Sequence, residues 1–295
     1  MDLAKIDRLR RASVTKSYLP EKDVGWGVPY GSAHPALPSE VVSLRDLPEY
    51  AALDAAGRDA LARHELASMF STFVRFEAVI NAYLARYAQK CASDDPLLPY
   101  ALHVVEEEAR HSRMFARAVD ELGTGPYPRR GLFGRAEALG AALIWTSPSL
   151  FFLGVLAVED VTDLVMAAAL EHPELHPTVA EVSRIHRVEE SRHMEFMREV
   201  ILERYTRAGA VERAAMRVAA PMLALLVFTL LVSPRVYERS GVAGGTWASW
   251  RLWMRATRSP SRARLRASSV ARMRRWLDQH GLVEGIASRI WAWAG

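Results

Sequence analysis

Cysteine is almost missing from this chain: Cys91 is the one thiol in 295 residues. That excludes a disulfide framework and a thiolate metal site, and it fits a reducing compartment. Lysine is nearly as scarce, with only Lys5, Lys16, Lys22 and Lys90. The net charge of +4 therefore comes from arginine, which reads as a compositional habit. Acidic residues vanish between Arg239 and Leu277, a stretch that carries Arg239, Arg251, Arg255, Arg258, Arg262, Arg264, Arg266, Arg272, Arg274 and Arg275 together with Trp247, Trp250, Trp253 and Trp276. A basic, Trp-bearing segment can meet anionic lipid or nucleic acid. The plainer reading is the arginine-rich end of a helical bundle, and no nucleic-acid partner is expected.

The N-terminus has no apolar run of signal-peptide length, so a cytoplasmic protein is expected. Two apolar stretches, Leu139–Val158 and Val218–Val232, are interrupted by Pro148 and Pro221. A spanning helix needs roughly 20 uninterrupted apolar residues, so both read as buried bundle helices and membrane contact is not expected. No alternating strand pattern and no nicotinamide or flavin fingerprint is present. The prolines and glycines of residues 20–48 mark residues 1–48 as an irregular arm. From residue 50 onward, apolar residues recur at three and four, predicting helices near 50–60, 62–91, 98–122, 135–146, 149–171, 178–207, 211–232, 246–258 and 266–292. The fold class is all-α, with a helical bundle over 49–238 and arginine- and tryptophan-rich helices over 239–295 packing on it.

Four of these helices break their apolar stripes in the same way. Glu77 interrupts the stripe of 62–91, Glu108 and His111 that of 98–122, Glu159 that of 149–171, and Glu190 and His193 that of 178–207. A buried carboxylate is costly unless it is paired or bound to metal, and four facing ones would repel one another unless cations lay between them. Glu108-Ala-Arg-His111 and Glu190-Ser-Arg-His193 are both Glu-x-x-His, a spacing that turns a carboxylate and an imidazole to one side of a helix. Di-iron carboxylate bundles use one Glu from each of two helices and Glu-x-x-His from each of the other two. Chance can supply Glu-x-x-His in a chain with this many glutamates. The weight lies in the mid-helix placement on apolar faces, the shared Glu-x-Arg-His wording and the lone glutamate preceding each pair. His186, one turn before Glu190, adds a third histidine. Iron suits this mixed ligation and can change oxidation state, which zinc cannot; manganese is the competitor. Glu107, Glu189 and Asp163 are candidates to orient the imidazoles, and Arg110 and Arg192 to balance the charge.

Glu77, Glu108-Ala-Arg-His111, Glu159 and His186-x3-Glu190-x2-His193 together resemble the p-aminobenzoate N-oxygenase (AurF-type) family. The resemblance covers about residues 62–207 and implies a ferritin-like four-helix bundle with flanking helices. It implies two iron ions, O2 as co-substrate, an external reductase or ferredoxin as electron donor, and N-oxygenation of a small amine, first an arylamine, to hydroxylamine or nitro products. No catalytic residue beyond the metal ligands is expected. A carboxylate on the substrate would need an arginine, and Arg217 and Arg235 are candidates. The alternatives are a di-iron hydroxylase or desaturase acting on carbon, and a ferritin-like iron- or peroxide-handling protein. Homodimerisation is left open.

Overall fold

The computed structural model describes every residue except Met1, Ser32, Ala33, Arg130 and Gly295. In chain order the helices are α1 (Leu3–Thr15), α2 (Pro20–Asp23), α3 (Pro48–Ala51), α4 (Ala55–Lys90), α5 (Leu98–Glu121), α6 (Gly131–Ile144), α7 (Pro148–Leu170), α8 (Pro177–Arg207), α9 (Ala210–Leu230), α10 (Arg235–Arg239), α11 (Thr246–Ala256), α12 (Pro260–Gln279) and α13 (Ile286–Ala294). There is no strand among the described residues. The long helices start where local chemistry satisfies their free N–H groups. Asp54 accepts from Gly57 N at α4, Ser147 from Leu150 N at α7, and Ser259 from Arg262 N at α12. Pro148, which breaks the apolar stretch in the sequence, thus opens α7 as its first residue.

Helices α4, α5, α7 and α8 form a four-helix bundle, with α4 packed on α5, α7 on α8, and α5 on α8. Its core is aromatic at one end: Phe151 lies fully buried and stacks on Tyr83 at a ring separation of 3.6 Å. Helix α9 packs along α7, and α6 lies across both. The segment Ala210–Arg239 is long and apolar enough to cross a membrane by composition alone, but 61% of its most apolar window is buried against protein.

Two departures from the expected element map have clear causes. The arm over residues 1–48 is not irregular throughout. Asp2 caps a helix of thirteen residues, α1, which lies on α5 and α8. Lys5 there forms an ion pair with Glu195 and a second with Glu199 at 2.8 Å. The last helix is also two helices. Gly281 (φ 72°) and Gly285 (φ 61°) take left-handed backbone that other residues adopt with strain, and the turn between them separates α12 from α13.

The acid-free tail is explained by where its arginines go. Arg272 of α12 reaches Asp160 (2.5 Å) and Asp163 (2.8 Å) on α7. Arg255 pairs with Glu49. Arg262 is buried over the Phe228 ring at 4.2 Å, where its charge bears on the buried Glu65. The bundle carries the acids and the tail the matching bases. Removing Arg272 leaves the fully buried Asp160 with the more distant Arg198, at 3.7 Å, as its one ion-pair partner among the described residues. Arg272→Ala is therefore expected to cost about 2–3 kcal/mol, read from the midpoint and slope of denaturant unfolding. A loss below about 0.5 kcal/mol would show that the α12 contacts do not hold the tail in place.

Candidate metal centre

The seven residues singled out in the sequence meet at one level of the bundle. Glu77 comes from α4, Glu108 and His111 from α5, Glu159 from α7, and His186, Glu190 and His193 from α8; all are at most 2% exposed. Six of them form overlapping groups whose donor atoms lie within 4.8 Å of one another: Glu77 with His111 and His186, Glu108 with His111 and Glu190, Glu159 with His186 and Glu190, and Glu77 with Glu108 and Glu159. His193 joins through its Nδ1, 3.2 Å from Glu108 and 3.0 Å from Glu190. His111 Nδ1 mirrors it, 3.0 Å from Glu108 and 3.1 Å from Glu190. Glu108 and Glu190 therefore stand between the two imidazoles. His186 Nε2 sits 3.5 Å from Glu77 and 3.8 Å from Glu159.

The electrostatics set two kinds of carboxylate apart. Burial pushes Glu77 well above the ordinary carboxylate range, and the charges of Glu108, Glu159 and Glu190 push it further. Burial raises Glu159 in the same way, helped by Glu190 and Glu108. Glu190 is pushed up by burial too, but His193 and His111 outweigh it and hold the group well below the usual range. Burial lowers His186 to about 4, with the charge of His111 adding to it and those of Glu190 and Glu108 opposing it, so its ring is neutral at neutral pH.

A cation fits what these atoms lack. Glu77 Oε2, Glu108 Oε1, both oxygens of Glu159, Glu190 Oε1 and both nitrogens of His186 are buried without a hydrogen-bond partner. Buried polar atoms are nearly always paired, and five unpaired carboxylate oxygens beside the one lone pair of a neutral His186 ring describe a ligand set. Carboxylate oxygen and neutral imidazole nitrogen are donors that iron accepts readily.

Around this set lies a shell of crossed supports. Glu189 of α8 approaches His111 Nε2 on α5 at 2.8 Å, and Glu107 of α5 approaches His193 Nε2 on α8 at 2.7 Å. Each carboxylate accepts the Nε2 proton, which leaves the Nδ1 lone pair to face the centre. Burial raises Glu107, but His193, Arg192 and His103 outweigh it and hold the group at about 2. Arg192 donates to Glu107 at 2.9 Å, and Arg110 lies 3.7 Å from Glu189. Asp163 does not orient an imidazole. It pairs with Arg187 (2.6 Å) and Arg272 (2.8 Å), because its side chain leaves the centre toward α12.

The sequence reading missed the contribution of the N-terminal arm. Arg192 Nε donates to Ser13 Oγ at 2.7 Å, and Tyr18 N donates to Glu189 at 3.2 Å. The alternation of Ile6, Leu9 and Ser13 along one face is the one local signal that could have marked α1 as an inward-facing helix. Phe73 and Phe115 flank His186, at ring separations of 6.3 and 5.0 Å, and close the centre from water.

Beside the centre runs an apolar cavity. Its walls include Phe76 and Ile80 of α4 and Val155 and Val158 of α7, within a turn of Glu77 and Glu159, and α6 and α9 close its outer side. Glu137 is its one charged wall residue. That carboxylate is held at 3.1 Å by Arg75 and at 3.2 Å by Arg129. Of the two arginines expected near a substrate, Arg217 pairs with Glu284 (2.8 Å) and Tyr205 (2.9 Å), and Arg235 is exposed. Neither lines the cavity.

Glu107→Gln and Glu189→Gln each disturb one imidazole without touching a facing donor, and each is expected to weaken iron retention about 10–100-fold in competition with a chelator. Unchanged retention would mean that these carboxylates serve only the arginines. His186→Ala should leave helicity intact but lower the iron that the purified protein retains. Full iron content and full turnover would reduce His186 to a core residue.

The sequence matches the family described as P-aminobenzoate N-oxygenase AurF over residues 3–281. Similar curated proteins are an uncharacterized protein of Mycobacterium bovis and two of Mycobacterium tuberculosis strains. Each is 26% identical over 237 residues, covering 78% of this chain and 69% of the relative. A match that spans nearly the whole chain, on a helical bundle whose buried Glu and His side chains converge at one level, means that this chain belongs to the p-aminobenzoate N-oxygenase AurF family of ferritin-like di-iron proteins.

Proposed function

We propose that this chain is an O2-dependent non-heme di-iron oxygenase that N-oxygenates a small amine, first an arylamine, to hydroxylamine or nitro products. The observation that carries the reading is the convergence of seven buried Glu and His side chains, among which five carboxylate oxygens and the His186 ring have no hydrogen-bond partner. Two irons held by Glu77, Glu108, His111, Glu159, His186, Glu190 and His193 would supply O2 activation, with electrons from an external reductase or ferredoxin.

The chain's own residues provide the rest. Glu108 and Glu190, each in reach of both His111 and His193, would hold metal from between the two imidazoles. Glu107 and Glu189 keep the Nε2 protons of His193 and His111, so that Nδ1 stays available. Phe73 and Phe115 exclude water on the His186 side. The cavity past Phe76, Ile80 and Val155 would receive a flat apolar ring and lead its amine toward Glu77 and Glu159. Arg75 and Arg129 share the single carboxylate of Glu137 at the polar end of that cavity, which makes them better placed than Arg217 or Arg235 to meet a polar substituent. The single cysteine supports a cytoplasmic setting.

A second reading is oxidation at carbon, and the nearly uniform apolar lining favours it for an alkyl substrate. One experiment separates the two. Purified protein is expected to hold about two irons per chain, with manganese a minor component. The reduced protein is then given O2 and a panel of arylamines, alkylamines and fatty acids, and products are read by mass. Oxygen on amine nitrogen supports the proposal. Oxygen on carbon with every amine untouched transfers the protein to the second reading, and absence of bound iron overturns both.

A further inference from the structure

Helix α6 turns its apolar side chains the wrong way. Phe133 and Ile144 are buried beneath it, but Leu132 is 67% exposed, Leu139 72% and Leu143 nearly half, and Trp145 follows exposed at its end. The neighbouring α9 does the same with Val218 and Met222, the latter 49% exposed. The two faces are one surface. Gly140 of α6 lies so close to α9 that an added Cβ would sit 2.7 Å from Leu226. Leu139 and Leu143 flank Gly140 on one helix, and Met222 lies one turn from Leu226 on the other. A contiguous exposed apolar patch of this kind marks an interaction site.

Its border is basic. Phe133 packs against Trp250 and Trp253 at 5.5 and 5.3 Å, which sets α11 at the N-terminal end of α6. Helix α11 exposes Trp247 at 72%, Met254, Arg251 and Arg255, and Arg258 follows exposed. Exposed Arg135 lies on α6 itself. Among the described residues, Arg135, Arg251 and Arg258 have no carboxylate partner. The single acid of α6, Glu137, points inward to Arg75 and Arg129. Leucine, methionine and tryptophan bordered by unpaired arginine match the boundary between acyl chains and anionic headgroups. A second copy of this chain is a poorer fit, because a two-fold contact would set this arginine border against itself.

We propose that the α6–α9 face, bordered by α11, docks on an anionic lipid bilayer, with Leu139, Leu143, Trp145 and Met222 entering the headgroup boundary. None of these side chains holds a metal-facing atom or lines the cavity, so the proposal stands whether or not the chain is an oxygenase. The same helices, α6 and α9, close the outer side of the apolar cavity.

The test is flotation of the full chain with vesicles of phosphatidylcholine mixed with phosphatidylglycerol, against phosphatidylcholine alone. The chain is expected to float with the mixed vesicles and far less with the neutral ones. Leu139→Glu with Leu143→Glu should lower the bound fraction about tenfold or more, and Arg251→Glu with Arg258→Glu should remove the preference for anionic vesicles. Circular dichroism checks folding of each variant. Should the first pair misfold, Leu139→Gln with Met222→Gln carries the same expectation. No flotation with either vesicle, or flotation unchanged by the substitutions, overturns the proposal. So does light scattering that shows a lipid-free dimer which the leucine substitutions dissociate while the wild type ignores vesicles.

Discussion

Four carboxylates at one level of a bundle repel one another, and the fold is arranged around that repulsion. Glu77, Glu108, Glu159 and Glu190 are all buried, and among the described residues no arginine or lysine pairs with them. Arg110 and Arg192 stop one layer out, on Glu106, Glu107 and Glu189. Only histidine is admitted to the inner layer. A fixed cation such as arginine would have satisfied the acids permanently and filled the centre. Imidazole leaves the choice open, since each ring can bind a proton or give its lone pair to a metal. The inner layer is built to exchange one positive charge for another.

The outer layer keeps that exchange ordered. Glu107 supports the histidine of α8 and Glu189 the histidine of α5, so each long helix holds the other's ligand. The near two-fold relation of the two Glu-Glu-x-Arg-His segments has a mechanical result: the spacing of α5 and α8 is set twice, by equivalent bonds 2.7 and 2.8 Å long. Shifting either helix by one turn would break both supports together.

Much of this was legible in the sequence, because it is written in helical spacing. Glu-x-x-His and His-x3-Glu-x2-His put their side chains on one face by period alone, and the apolar residues around them say that the face is buried. Glu107 and Glu189 were legible for the same reason. Asp163 had the same local credentials, one turn after Glu159, yet it goes to Arg272, more than a hundred residues away. Pairings of that range leave no local spacing to read. Helix α1 was obscured by its many charged residues, which face solvent, and only its three or four inward side chains carry the signal. The two glycines that divide α12 from α13 were visible as residues, but their positive φ is a property of the turn and not of composition.

The partition of charge between bundle and tail bears on how the chain is assembled. Asp160 and Asp163 are made long before Arg272, and Glu65 nearly two hundred residues before Arg262. Until the C-terminal end of the chain is made, Asp160 and Asp163 of α7 have Arg198 and Arg187 of α8 to close on but not Arg272. Helix α1 waits in the other direction, since Ser13 and Tyr18 meet α8 only after it is made. Synthesis from one end thus yields a bundle whose long-range polar contacts are complete only when α1 and α12 are both present. Completing them is a late, long-range event of the kind that slows folding, and a chain cut short before α12 would leave Asp160, Asp163 and Glu65 without the arginines of the tail.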